Sequence, residues 1–82
     1  MTVSLARAFA PECRVNCLAP GFTKTPLHDS SPERLKLESE KTPLKRYALP
    51  EEIAYSAYFL SSEKSSFITG AVLPIDGGRS FA

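Results

Sequence analysis

The feature that most constrains this chain is a pair of strand candidates separated by helical sequence, with no hairpin turn between them. Residues 13–18, "CRVNCL", alternate Cys13, Val15 and Cys17 with Arg14, Asn16 and Leu18. Both faces of such a strand are largely apolar, which suits a strand covered on two sides. Residues 71–75, "AVLPI", form the second candidate, closed by the turn signal Asp76-Gly77-Gly78. Two strands joined through helices pair in parallel by a crossover, so the expected class is α/β. Pro74 has no amide hydrogen to give to a ladder, which predicts that the second strand lies at a sheet edge.

Three helices fit the remaining pattern. In residues 2–10, Leu5, Ala6, Phe9 and Ala10 share a face at helical spacing, and Pro11 stops the run. A second helix begins at Pro32 with Ser31 as its N-cap and Glu33 in its first turn, and it stops before Pro43. The clearest helix is 50–62. Pro50 suits its first position, Glu51 and Glu52 complement the positive end of the dipole, and Ile53, Ala54, Ala57, Phe59 and Leu60 supply a broad apolar side. Residues 19–31 read as loop and 61–66 as a Ser/Lys-rich break.

With 82 residues the chain is one domain or less. A chain of this size buries only about 60–65% of the surface exposed when unfolded. A two-stranded parallel sheet is a poor free-standing object, because parallel sheets have more strands and are covered on both faces. The chain is therefore expected to be part of something larger or to pair with another chain. The net charge of +1 and the lack of like-charge runs exclude nucleic acid and anionic membranes as electrostatic partners. The opening "MTVSLARAFA" is too short and mixed for a signal peptide, and no apolar stretch approaches the ~20 residues of a membrane span. A soluble, cytoplasmic protein is expected. On one strand Cys13 and Cys17 would lie about 13 Å apart, too far for a disulfide. Their spacing is also not that of a redox or zinc pair, so both are expected as small buried side chains. No metal-ligand set stands in the sequence.

Beyond these local readings, "RVNCLAPGFTKTP" followed by "PLKRYALPEEIAYSAYFLSSEKSSFITGAVLPIDGG" resembles the C-terminal part of the classical short-chain dehydrogenases/reductases. The pieces stand in the family's order: Arg-Val-Asn, Pro-Gly, a threonine, a variable lid, Pro-Glu-Glu-Ile-Ala, Phe-Leu-x-Ser, Ile-Thr-Gly and Asp-Gly-Gly. Each piece alone is an ordinary turn or cap signal; the ordered set is specific and covers nearly the whole chain. The resemblance implies the last part of a Rossmann fold, a doubly wound parallel sheet. It would comprise helix, strand, a lid region over about 27–46 that contains the lid helix, helix and edge strand, all within one domain. It further implies NAD or NADP as cofactor and an alcohol/ketone pair as substrate.

Ligands of open α/β sheets sit outside the carboxyl ends of the strands. The resemblance accordingly implies a cofactor loop of Pro20, Gly21, Phe22, Thr23 and Thr25. Gly21 would let the backbone approach the ligand, Phe22 and Thr23 would face the nicotinamide carboxamide, and Thr25 would reach the carboxamide or the pyrophosphate. Without the flanking pattern the same residues read as an ordinary surface loop. The family's glycine-rich nucleotide turn and its catalytic Tyr-x-x-x-Lys are absent, so no catalytic residue is assigned. Tyr47, Tyr55 and Tyr58 are followed four positions later by Glu51, Phe59 and Ser62.

Other residues take plainer roles. His28, the single histidine, reads as a solvated loop residue, as do the charges Asp29, Lys36 and Lys45. Asp76 reads first as a turn residue, and Arg14 and Asn16 as braces of the sheet. The family is commonly dimeric or tetrameric, and the apolar helix 50–62 beside the uncharged strand 71–75 predicts a homo-oligomer through that surface. The expected function is the nicotinamide-side loop and substrate lid of an NAD(P)-dependent oxidoreductase, the isolated chain being inactive. The alternatives are a non-catalytic module that associates with a full-length relative, and an inert fragment.

Overall fold

A computed structural model describes residues 1–26 and 31–81. Its elements are α1 (Thr2–Phe9), β1 (Cys17–Pro20), α2 (Pro32–Lys41), α3 (Pro50–Ser61) and β2 (Val72–Ile75). Single turns of tighter helix follow at Glu63–Ser65 and Arg79–Phe81. The expected order of helix, strand, helix, helix, strand is present. β1 and β2 pair in parallel, with Cys17 opposite Val72 and Pro20 opposite Ile75. Pro74 stands opposite Ala19 in a strand with no second neighbour among the described residues, as its missing donor requires.

The first strand lies later than the alternation of 13–18 predicts. Residues 13–16 are not ladder-paired, because side chains take over the bonding there. Asn16 donates from Nδ2 to the Ile68 carbonyl (3.1 Å) and accepts the Ala71 amide on Oδ1 (3.0 Å). Arg14 donates to the carbonyls of Ile68 (3.0 Å) and Ser62 (3.2 Å). The Val15 amide donates to the Thr69 hydroxyl, and the Val15 carbonyl accepts from Gly70. The regular register begins at Cys17, whose amide donates to the Ala71 carbonyl and which stands opposite Val72. Arg14 and Asn16 are thus the braces expected of them. Cys13, outside the strand, is exposed rather than buried, and Cys17 is half-buried; both are free thiols.

The helices begin as their sequences dictate. Pro32 and Pro50 occupy first-turn positions, where no intrahelical amide bond is lost. Ser31 is the residue before α2, but it caps through its carbonyl, which accepts from Arg34 and Leu35, and not through its hydroxyl. Leu49 has no side-chain acceptor, so α3 carries half a capping box: Glu52 Oε1 accepts the Leu49 amide at 3.0 Å. Glu52 also receives both terminal nitrogens of Arg46, at 2.7 and 2.8 Å. α3 lies over β1, where Leu18, Ala57, Leu60, Arg14 and Asn16 line a hollow of about 420 Å³. α1 meets the approach to β2 at Gly70, where an added Cβ would stand 3.6 Å from that of Ala6.

Very little of this is core. Ala6 is the one buried apolar residue among those described, and Thr42 and Ser65 are the buried polar ones. The radius of gyration is 15.2 Å, against about 12 Å for a compact domain of this length. The accessible surface is 6147 Å², whereas a folded monomer of this mass exposes about 4,900 Å². The excess is apolar in good part: Val3, Phe9, Tyr55, Tyr58, Phe67 and Val72 are all exposed. The fold therefore meets the expectation of a sheet that needs further covering.

Candidate functional site

The site is built at the carboxyl ends of the two strands. β1 ends at Pro20, and the Gly21 amide donates to the Ile75 carbonyl at 3.0 Å, which holds the two strand exits side by side. A Cβ on Gly21 would lie 2.7 Å from both Cα and Cβ of Asp76. The close approach that this glycine permits is therefore to the exit of β2 within the same chain. Beyond it the loop is cross-tied. The Ala48 amide donates to the Phe22 carbonyl (3.0 Å), and the Lys24 amide donates to the Ala48 carbonyl (2.9 Å). Thr23 stands opposite Ala48 in a parallel bridge, and its hydroxyl donates to the Gly21 carbonyl at 3.1 Å. Residues 20–25 are thus a fixed ledge, with Pro20 and Thr25 exposed and Gly21, Phe22 and Thr23 half-buried.

The opposite wall is the turn after β2. Asp76 accepts the Gly78 amide on Oδ1 (3.0 Å) and the Ser80 amide on Oδ2 (3.1 Å). Desolvation works against its charge, but the hydrogen bonds from Ser80 and Gly78 prevail and hold its carboxyl below the usual value. Gly77 takes a φ of +62°, and a Cβ there would meet Thr42 Cγ2 at 2.7 Å. The Leu44 amide donates to the Gly77 carbonyl at 3.1 Å. The segment after α2 is therefore seated directly on the Asp-Gly-Gly turn.

Ledge, seat and turn enclose a cleft of about 450 Å³, lined chiefly by Phe22, Leu44, Tyr47, Pro74 and Ile75, with Thr42, Arg46, Glu52 and Asp76 as polar members. Of the five loop residues singled out from sequence, only Phe22 lines it; Pro20, Gly21, Thr23 and Thr25 form the ledge beside it. Leu44, Tyr47 and Asp76 were not foreseen as lining residues. For Asp76 the signal was available, since its turn closes the strand next to β1. Lys45, expected as a solvated charge, donates from Nζ to the Glu40 carbonyl at 2.8 Å. The Arg34 guanidinium lies over the Phe22 ring and the Lys24 ammonium over the Tyr47 ring, each 5.9 Å from the centroid. His28 and Asp29, and the start of the lid at residue 27, lie outside the described residues.

The cleft offers shape and apolar surface more than proton chemistry. Of its two carboxylates, Asp76 is occupied by two amides and Glu52 by Arg46 and the Leu49 amide. No group of three His, Cys, Asp or Glu that could hold a metal occurs among the described residues. The peptide groups and hydroxyls of the ledge have the chemistry to meet a carboxamide.

Residues 1–80 match the family described as enoyl-(acyl carrier protein) reductase. The chain belongs to the short-chain dehydrogenase/reductase family. It is 54% identical over 66 residues to the 3-oxoacyl-[acyl-carrier-protein] reductase FabG of Chlamydia trachomatis, covering 79% of this chain and 27% of that protein. Against FabG of Thermotoga maritima it is 42% identical over 80 residues, 95% of this chain and 32% of the relative. Among solved structures, 4-hydroxyisoleucine dehydrogenase complexed with NADH superposes with a TM-score of 0.87 at 28% identity, over 99% of this chain and 35% of that one. A candidate 2-deoxy-d-gluconate 3-dehydrogenase from Agrobacterium tumefaciens with bound NADP also gives 0.87, at 34% identity, over 99% and 35%. The chain thus spans about a third of the length of the relatives it matches. Its helices and parallel strand pair are a part of a Rossmann fold, and short-chain dehydrogenase/reductase structures of this kind carry NADH in one case and NADP in another. No described helix is long and apolar enough to cross a membrane.

Proposed function

We propose that residues 1–82 are the C-terminal part of a single Rossmann-type domain of a cytoplasmic, NAD(P)-dependent oxidoreductase acting on a small alcohol/ketone pair. Residues 20–25 form the nicotinamide-side ledge and about 27–46 the substrate lid. The observation that carries this reading is the ledge itself: a rigid, amide-rich shelf at the carboxyl end of β1, tied to β2 through Gly21 and to the segment before α3 through Ala48. A nicotinamide bound there supplies the hydride. Phe22 and Thr23 orient its carboxamide, Thr25 adds a hydroxyl contact, and the apolar cleft wall of Leu44 and Tyr47 keeps water from the substrate side. General acid/base groups are not assigned to this chain. Its isolated form is inactive and binds neither NAD nor NADP measurably, because the sequence lacks the glycine-rich turn that would hold the pyrophosphate at a helix N-terminus. Two free thiols suit the reducing cytoplasm.

The test is Thr25→Ala in the enzyme that carries this chain. Loss of one hydrogen bond of about 1 kcal/mol raises the cofactor KM roughly fivefold. An unchanged cofactor KM together with unchanged kcat would overturn the ledge assignment. Calorimetric titration of the isolated chain is expected to give no binding isotherm, and micromolar binding of either nucleotide would contradict the division of labour.

A second role, self-association, rests on α3 and β2. Tyr55 and Tyr58 are 73% and 78% exposed, on the same element as the half-exposed Phe59, and Val72 on β2 is 56% exposed. An apolar helix face beside an uncharged strand edge has the character of an interface. A homo-oligomer through this surface is part of the proposal. The rival reading, a non-catalytic module that joins a full-length relative, uses the same surface and predicts a mixed oligomer.

A further inference from the structure

The turn after β2 does more than end a strand. Glu38 lies in α2 and Arg79 in the final turn, 41 positions apart, and Arg79 Nη1 donates to Glu38 Oε2 at 2.9 Å. Neither group is fully solvated: the Glu38 side chain is 20% exposed and that of Arg79 38%. The hydrogen bond from Arg79 holds the Glu38 carboxyl below its usual value against the opposing effect of burial. One turn further along, the buried Thr42 sits where a side chain on Gly77 would be, and its hydroxyl donates to the Glu38 carbonyl at 2.9 Å. The next tie is the Leu44 amide on the Gly77 carbonyl. Glu38, Thr42 and Leu44 thus meet Arg79 and Gly77 in one row. Thr42, Leu44, Gly77 and Gly78 of that neighbourhood also line the cleft.

We infer that Glu38 and Arg79 are positioning residues: their ion pair clasps α2 to the turn after β2 and so sets the width of the cleft on the substrate side. The inference rests on the reading of 27–46 as the substrate lid and adds to it which residues fix the lid's resting position. The ion pair touches no reacting atom. It acts through the row Thr42–Leu44, whose other side is the cleft wall.

The test has two arms, chosen to fail separately. In the enzyme that carries this chain, hydrogen exchange is followed at the Leu44 amide and, for reference, at the Cys17 and Gly21 amides, which bond the Ala71 and Ile75 carbonyls. Arg79→Gln and Glu38→Gln are each expected to speed exchange at Leu44 tenfold or more while leaving Cys17 and Gly21 within twofold. The charge-reversed pair Glu38→Arg with Arg79→Glu restores protection. Unchanged exchange at Leu44 overturns the clasp, and so does an equal rise at all three amides, because a clasp acts locally. In the enzyme that carries this chain, Arg79→Gln is expected to raise the carbonyl-substrate KM about fivefold with cofactor KM and kcat unchanged, and Arg79→Lys to restore most of it. A fall in kcat alone, or no rescue by lysine, overturns the positioning role. Loss of Leu44 protection in an enzyme whose KM does not move leaves the ion pair standing and removes the lid reading on which the inference rests.

Discussion

The two ends and the two sides of this small sheet are built on different principles. At the carboxyl ends of β1 and β2 the chain closes on itself: Gly21 against Asp76, Gly77 against Thr42, Ala48 bonded to both Phe22 and Lys24. On the sides it does not. Ala6 is the one buried apolar residue described, while Val3, Phe9, Tyr55, Tyr58 and Val72 face outward. The difference teaches that the carboxyl end of the sheet is specified within this chain, by glycines and backbone bonds between distant segments. The sides are specified for surfaces that the described residues do not provide.

The comparison is broken most sharply from the side. Tyr58→Glu with Val72→Lys in the assembled enzyme puts charges into an apolar contact, and uncompensated buried charge costs about 3–5 kcal/mol. Light scattering should show dissociation to smaller species, with circular dichroism and the cleft unaffected. Retention of the wild-type oligomer would place the interface elsewhere. The closed end is broken by Gly21→Ala. The added Cβ meets backbone and Cβ of Asp76 at 2.7 Å, which cannot rotate away, so the strand exits must part. Overpacking of this kind costs about 1–3 kcal/mol and should lower the urea midpoint while leaving the oligomer intact.

Asn16→Ala probes the entry end of the sheet. It strands the Ala71 amide and leaves the Ile68 carbonyl only its bond from Arg14, and a loss of about 1–2 kcal/mol is expected in the same unfolding experiment. Asn16→Asp, which keeps the acceptor for Ala71 and loses the donor to Ile68, should fall between. The smallest effect belongs to the exposed Arg46–Glu52 pair. Arg46 and the Leu49 amide hold the Glu52 carboxyl down to about 2, from an ordinary 4.5. Because the folded value is depressed, its stabilisation is whole above pH 4.5 and is lost as pH falls towards 2. The urea midpoints of wild type and Glu52→Gln should differ slightly at pH 6 and converge near pH 2; a gap independent of pH would show that the ion pair contributes nothing through charge.

Much of the architecture was legible in the sequence because its signals are short-range. Pro32 and Pro50 with their acidic first turns mark two helix starts, and Pro74 marks an edge strand. The strand 13–18 was misplaced because alternation of side chains cannot tell a paired backbone from one whose partners are met by Arg14 and Asn16. That the chain leaves the sheet as a loop after Pro20 was legible in Pro20-Gly21, but the reason for Gly21 was not. Its constraint comes from Asp76, at the far end of the chain. The cleft wall at Leu44 and Tyr47 and the Glu38–Arg79 pair were illegible for the same reason: each depends on where two distant segments meet, and no local pattern records that meeting.

The two hydrogen bonds of the Asn16 side chain have a consequence for how the two strands find each other. Its side-chain amide spans Ile68 and Ala71 much as a main-chain peptide would, just before the first true ladder bond at Cys17. A slip of β2 by one position would face Asn16 with the wrong pair of groups and bring Pro74 opposite a different residue. It would also turn each side chain to the other side of the sheet. The amide therefore works as an alignment key: it rejects misaligned pairings before four short residues of ladder could discriminate among them.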